Sequence, residues 1–310
     1  MQPDRLLLVL NGWANAWTID TVCDIRTAYP GCRLAFFPHY QPPTSVPMSA
    51  SQRERISGAL ALVADVADLV IHDSPAEAEA WVAAGLSARA SRVCLLGGYL
   101  EPSDIPGGVV REANSAHRDV AVGRRRTPEV LMVVDLNEWH RKGMDIVEHL
   151  ALRAALERAL GRGGVRFVVA GTPPRSSLLA RRCRLLKAAG VRFRGYLSEA
   201  ELYQAYQDAD AYLMCSREEA YCLPVVAAMS AGCPVVARPI GIAPEVVVPG
   251  SNGVLCASED PAHWWSALME GLRVARSSDP ADISASVRDY TEENAQASLA
   301  EALRPLLVLG

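Results

Sequence analysis

Two α/β domains, each a doubly wound parallel sheet, are predicted by three features of the sequence. Short, nearly uninterrupted Val/Leu/Ile runs alternate with longer stretches of helical spacing, the pattern of strands buried on both faces. The chain has 310 residues, more than one hydrophobic core comfortably organises. A segment rich in Gly, Pro and charge, without periodicity, spans 97–128 and divides the two alternating regions.

In the first region RLLLVL (5–10), CRLAFFP (32–38), DLVIH (68–72) and RVCLL (92–96) read as strands, with TIDTVCDIRTAY and RERISGALALVADVA as helices between them. In the second, EVLMVVDL, RFVVAG, VRFRGYL, AYLMCS, PVVARP and GVLC read as strands. MDIVEHLALRAALERAL, SLLARRCRLLKAAG, EAELYQAYQDA and LPVVAAMSAG are the helices. The expected division is 1–122 for the first domain and 123–310 for the second, with the last helix returning to the first. Parallel sheets of this kind gather ligand-facing loops at the carboxyl ends of their strands, so a cleft between the two domains is the expected site.

Composition narrows the function. Half of the residues are hydrophobic and 21% are charged, which excludes a disordered chain. Aromatics are only 6%, so Ala, Val and Leu must build the core. Residues 1–122 hold 9 Arg against 13 Asp plus Glu, a net of −4, and the remainder balances 22 basic against 22 acidic residues. No broad face for nucleic acid or anionic membrane is expected from that balance. The run Arg124–Arg126 is read as a solvated linker.

The longest apolar stretch, 58–71, carries Asp65 and Asp68, so no membrane span is expected. The start of the chain lacks the basic and small-residue pattern of a secretory signal. Eight cysteines without CxxC spacing indicate neither a zinc site nor a disulfide framework. A reducing cytoplasm is the simplest compartment. The chain has only two lysines, Lys142 and Lys187, so the position of each carries information.

The most informative segment is 215–256. Strand AYLMCS ends in a polar turn at Ser216–Glu219, and a helix is predicted to start at Leu223–Pro224, because proline suits a first helical turn. Unpaired amides at a helix start, with the helix dipole, suit an anionic oxygen. Ala220 and Cys222 are small enough for a ligand to approach the backbone. Ala231–Gly232 closes the helix, CPVVA is the next strand, and the glycine turn RPIGIAPE follows it.

Here the sequence resembles the GT-B fold retaining glycosyltransferases of family 4, the glycosyl transferases group 1. Their signature E-G-F-G-L-P-x-x-E-A-M-A-x-G-x-P-V-V-A is matched by Glu219-AYCLPVV-Ala227-AMSAGCPVVA. The following G-G-x-x-E and G-x-x-G-x-L blocks are matched by Gly241-IAP-Glu245 and Gly250-SN-Gly253-VL. RKGMDIVEHL (141–150) is similar to the family's lysine-glycine segment, and FVVAGTPP and 191–216 to the strands leading into the signature. Residues 67–99 are similar to the last unit of the first domain.

The resemblance implies two Rossmann-like domains. A nucleotide-sugar donor is held on the second, transfer to an unidentified acceptor proceeds with retention of configuration, and no metal is needed. It implies that Glu219 accepts hydrogen bonds from the donor sugar and that His39 sits near that sugar. It places the donor phosphates against Lys142, with Arg141 and the backbone of Ala220, Tyr221, Cys222 and Leu223. Gly171 would lie at the nucleotide, and Tyr196, after Gly195, either borders the nucleobase or packs in the core. Gly12 and Gly241 would be the loop glycines.

Three departures stand beside the match. The second glutamate of the signature is Ala227, and losing its contact with a ribose diol costs on the order of 1–3 kcal/mol of donor binding. The family's arginine six residues before the lysine is Leu136, and Arg141 replaces it only if turned inward; neighbours in an extended segment point oppositely. The strand PDRLLLVLNGW resembles one from the middle of the family's first domain, which makes that domain abbreviated. An active transferase is the leading expectation. The alternative is a weak or inactive relative that binds nucleotide sugar or serves as a partner subunit in a homo- or hetero-oligomer.

Overall fold

The computed structural model describes residues 7–11, 21, 24–38, 50–86, 88–94 and 127–307. Gly12, His39 and the predicted linker up to residue 126 lie outside them. The described residues form two parallel sheets. The first holds β1 (Leu7–Asn11), β2 (Arg33–Phe37), β3 (Leu69–His72) and β4 (Ser91–Val93), side by side in chain order. Helices α1 (Ala50–Val66) and α2 (Pro75–Ala83) belong to this half.

The second sheet is built from β5 (Glu129–Val133), β6 (Arg166–Ala170), β7 (Arg192–Gly195), β8 (Ala211–Met214), β9 (Val235–Ala237) and β10 (Gly253–Leu255). Between them run α3 (Met144–Ala159), α4 (Ser177–Ala188), α5 (Glu199–Asp208), α6 (Leu223–Ser230) and α7 (Ala243–Val246). The chain closes with α8 (Pro261–Ser277), α9 (Pro280–Ala285) and α10 (Glu292–Leu307). The strand order is β10-β9-β8-β5-β6-β7, all parallel. The order therefore reverses beside β5: the chain first builds outward through β6 and β7, then crosses back to place β8 on the other side. A parallel sheet opens a crevice at such a point, outside the carboxyl ends of the two central strands.

Why these strands read as unbroken apolar runs is plain from their packing. Val130 and Met132 of β5 enter one core cluster with Phe167, Val169 and Leu213, while Leu131 enters another with Val168, Tyr212 and Met214. Successive side chains point to opposite faces, and both faces are covered. β7 is the exception. It is one of the two outer strands, and its Arg192 and Arg194 are exposed, as suits an edge that must not recruit further strands.

The first sheet is covered the same way from two parts of the chain. Leu34, Phe36 and Val70 pack on Leu60, Val63 and Trp81. On the opposite face Ala35, Phe37, Leu69 and Ile71 pack with Ala302, and Leu299, Leu303 and Leu306 of α10 close over them. The last helix thus supplies one of the two layers that bury the first sheet.

Local signals fix the helix starts. Ser198 and Glu201 form a reciprocal capping box at α5, and Ser74, Ser176, Asp260 and Asp279 each accept an amide hydrogen bond at a helix start.

Candidate functional site

The site grows from the carboxyl ends of β5 and β8. After β5 the chain makes a short 3-10 turn at Leu136–Glu138, capped by the Asp135 side chain, and then a tight turn through 139–143 into α3. Gly143 stands at the helix start with φ 68°. A Cβ there would lie 2.3 Å from the Cys215 carbonyl oxygen, so only glycine lets the lysine turn close on the end of β8. After β8 the loop 215–222 leads into α6, which begins at Leu223 with Pro224 in its first turn, as the sequence predicts.

These two segments bring Lys142 and Glu219 together. The Lys142 ammonium donates to Glu219 Oε1 at 2.6 Å, and the two side chains are only 16% and 13% exposed. Arg141 reaches the same loop: its guanidinium donates to the Glu218 carbonyl at 3.1 Å and pairs with the Glu138 carboxylate. The expectation that neighbouring side chains diverge does not apply here, because 141–143 is a turn rather than an extended segment. A cavity of about 30 Å³ beside the pair is lined by Lys142, Glu219, Cys222, Pro224 and the ends of β5 and β8, room for about one water.

The loop between β8 and α6 is held from two further sides. The Ile242 amide donates to the Tyr221 carbonyl at 2.8 Å. Gly241 makes that approach possible, since a Cβ on it would sit 2.5 Å from the same oxygen, and its φ is 57°. From the first domain, the Ser74 hydroxyl donates to the Ala220 carbonyl at 2.8 Å. Cys222 takes the left-handed conformation, φ 71°, that starts α6 without a side-chain cap. Burial pushes its thiol well above the ordinary range, so it is a neutral wall of the cavity.

Beneath the loop lies a group that sequence reading passed over. Arg217, 6% exposed, donates to both Asp145 carboxylate oxygens at 2.9 and 2.8 Å and to Glu259 at 3.0 and 2.7 Å. It also donates to the His140 carbonyl at 2.5 Å. Burial alone would raise the Asp145 carboxyl; the hydrogen bonds and charge of Arg217 outweigh it and hold that group below the ordinary carboxylate range. Arg238 pairs with the other Glu259 oxygen at 2.9 Å and lies 5.5 Å over Trp264. Nothing in the spacing of CSREEAY distinguishes Arg217 from a solvated loop arginine; its partners are 72 and 42 residues away.

A larger cavity, about 420 Å³, opens at the carboxyl ends of β6 and β7, lined in part by Leu136, Gly171, Pro173, Phe193 and Gly195. Its volume suits a small organic ligand. Tyr196 follows Gly195 and is 85% exposed, which rules out the core-packing alternative. Ala227 packs partly buried against the apolar cluster under α6.

Residues 127–273 match the glycosyl transferases group 1 family. Both Lys142 and the whole 215–256 segment fall inside the matched residues. Glycogen synthase of Mycobacterium tuberculosis is 30% identical over 273 residues, covering 84% of this chain. The chain spans 62% of that relative's length. A D-inositol 3-phosphate glycosyltransferase of Corynebacterium urealyticum is 29% identical over 212 residues, 66% of this chain and 49% of its own.

Among solved structures, Anabaena HepE in complex with UDP-glucose superposes with a TM-score of 0.69 at 18% identity, covering 96% of this chain and 78% of HepE. Sucrose-phosphate synthase from Thermosynechococcus elongatus superposes with a TM-score of 0.68 at 22% identity, covering 96% and 71%. The fold is that of the GT-B glycosyltransferases, with a Rossmann-like parallel sheet in each half.

Proposed function

We propose that the chain is a glycosyltransferase that moves a hexose from a nucleotide sugar to an acceptor hydroxyl, with retention of anomeric configuration and without a metal ion. The observation that carries this reading is the Lys142–Glu219 pair, held at the topological switch point of a group 1 domain. A cation within reach of the α6 start opposes the charge that grows on a departing diphosphate. Arg141, turned toward the same loop, adds a second positive charge.

Glu219 is the matching acceptor for sugar hydroxyls, and donor binding exchanges its bond to Lys142 for bonds to both parts of the ligand. The cavity at Gly171 and Gly195 is the place for the nucleoside, with Tyr196 at its exposed border. UDP-glucose, the ligand in the HepE complex, is the first donor to try. A cytoplasmic setting is part of the same proposal. Among the described residues no helix is long and apolar enough to cross a membrane.

A second reading has its own observations. Ala227 and Leu136 stand where the family signature has a carboxylate and an arginine, and Ala227 packs against apolar neighbours. A weakly active or inactive nucleotide-sugar-binding partner subunit would have this site.

Incubation with a panel of nucleotide sugars, with cell extract supplying acceptors, separates the two. Nucleotide release that is lost in Lys142→Ala and Glu219→Ala supports the transferase. Donor binding without release supports the partner subunit, and neither binding nor release overturns both.

A further inference from the structure

Arg217 and Arg141 lace the two halves of the site together in opposite directions. The Arg217 amide donates to the Arg141 carbonyl at 2.8 Å, and its guanidinium to the His140 carbonyl at 2.5 Å. These are the two residues directly before Lys142. Reciprocally, Arg141 donates to the carbonyl of Glu218, directly before Glu219. Arg217 is also anchored below by Asp145, in the first turn of α3, and by Glu259, in the loop after β10, which Arg238 holds in turn.

A buried guanidinium between two carboxylates has one geometry that satisfies its planar fork, and a Lys in its place offers only a point charge. The arrangement therefore fixes where the lysine turn stands relative to the glutamate loop. The 2.6 Å approach of Lys142 to Glu219 follows from that registration.

We propose that Arg217 is the positioning residue of the site: it acts through the 140–143 turn to set the Lys142 ammonium against Glu219 and, on the functional reading above, against the donor diphosphate. It touches no ligand itself. Breaking the clamp should loosen Lys142 while leaving the sheet intact, because His140, Arg141, Asp145 and Glu259 all lie outside the strands.

The scarcity of lysine makes this directly measurable. Reductive ¹³C-methylation labels Lys142 and Lys187, the only two lysines, besides the terminal amine. In Arg217→Ala and Arg217→Lys the Lys142 methyl resonance should move toward its position in Glu219→Gln, while Lys187 stays in place. Glu259→Gln, which leaves the Asp145 contacts intact, gives a smaller shift in the same direction and covers the case in which Arg217→Ala does not fold. In parallel, titration with UDP, ADP and GDP should show about tenfold weaker binding for Arg217→Ala of whichever diphosphate the wild type takes. The double variant Arg217→Ala/Lys142→Ala should bind no more weakly than Lys142→Ala alone.

A purely structural Arg217 would lower the melting temperature with the Lys142 resonance unmoved in every variant, and that result overturns the proposal. Multiplying affinity losses in the double variant overturn it as well. If the wild type binds no diphosphate, the functional reading fails, and the resonance test still decides the role of Arg217.

Discussion

Lys142 and Glu219 are 77 residues apart in the chain and form a 2.6 Å ion pair where the order of the second sheet reverses. Neither residue lies in a strand or a helix; each sits in the segment that follows a central strand. The pair is a product of topology, because only the crossover that puts β8 beside β5 makes those segments neighbours.

Removing one partner of this largely buried pair leaves the other charge poorly solvated. Lys142→Ala and Glu219→Ala are each expected to destabilise the fold by about 1–3 kcal/mol. The double variant should lose less than the sum, since no orphaned charge remains. Urea denaturation of the four proteins checks this; strict additivity would show that the pair is not coupled in solution.

Gly241→Ala should be damaging, because Gly241 sits in a buried turn against the loop that carries Glu219. The new Cβ meets the Tyr221 carbonyl at 2.5 Å in a backbone already at φ 57°. A loss of about 1–3 kcal/mol is expected, with weakened nucleotide binding because the Ile242–Tyr221 hydrogen bond holds the loop that carries Glu219. Thermal melting and nucleotide titration read the two effects separately. A variant that melts like the wild type would show that the loop has room to move.

Acid should weaken the first domain before it titrates ordinary carboxylates. His72 is 3% exposed, against Trp81 and with its Nδ1 3.9 Å from Glu77; burial lowers its imidazole from 6.5 to about 4. Between those values the unfolded chain binds a proton that the folded chain does not. This contribution is therefore complete above pH 6.5 and falls with pH, by up to about 1.4 kcal/mol per unit, until about pH 4. His72→Phe should flatten that slope in denaturation curves taken from about pH 7 to about pH 5. An unchanged slope would place the acid sensitivity at another group; Asp145 is not that group, because its carboxyl is held below the ordinary range and its contribution is lost only at still lower pH.

Much of this arrangement was legible in the chain. Runs such as EVLMVVDL announce buried parallel strands because both of their faces are apolar, and the start of α6 was marked by the proline after Leu223. Glu219 is marked only by the resemblance of 215–256 to the group 1 signature, and Lys142 by the similar lysine-glycine segment, to which the rarity of lysine adds weight. Other features depend on contacts that no local pattern records. The inward turn of Arg141 follows from a tight turn that Gly143 permits only against Cys215, and the burial of Arg217 depends on carboxylates at 145 and 259. The covering of the first sheet by Leu299, Leu303 and Leu306 joins opposite ends of the chain.

The central claim is that the Lys142–Glu219 site holds the diphosphate of a nucleotide sugar. Isothermal titration of the wild type and of Lys142→Ala with UDP-glucose, and with its ADP and GDP counterparts, tests it most directly. The expected result is saturable binding of at least one donor, weakened about tenfold or more in the variant, as loss of a charge-assisted contact to phosphate requires. Equal affinity in the two proteins, or no binding of any donor by the wild type, would contradict it.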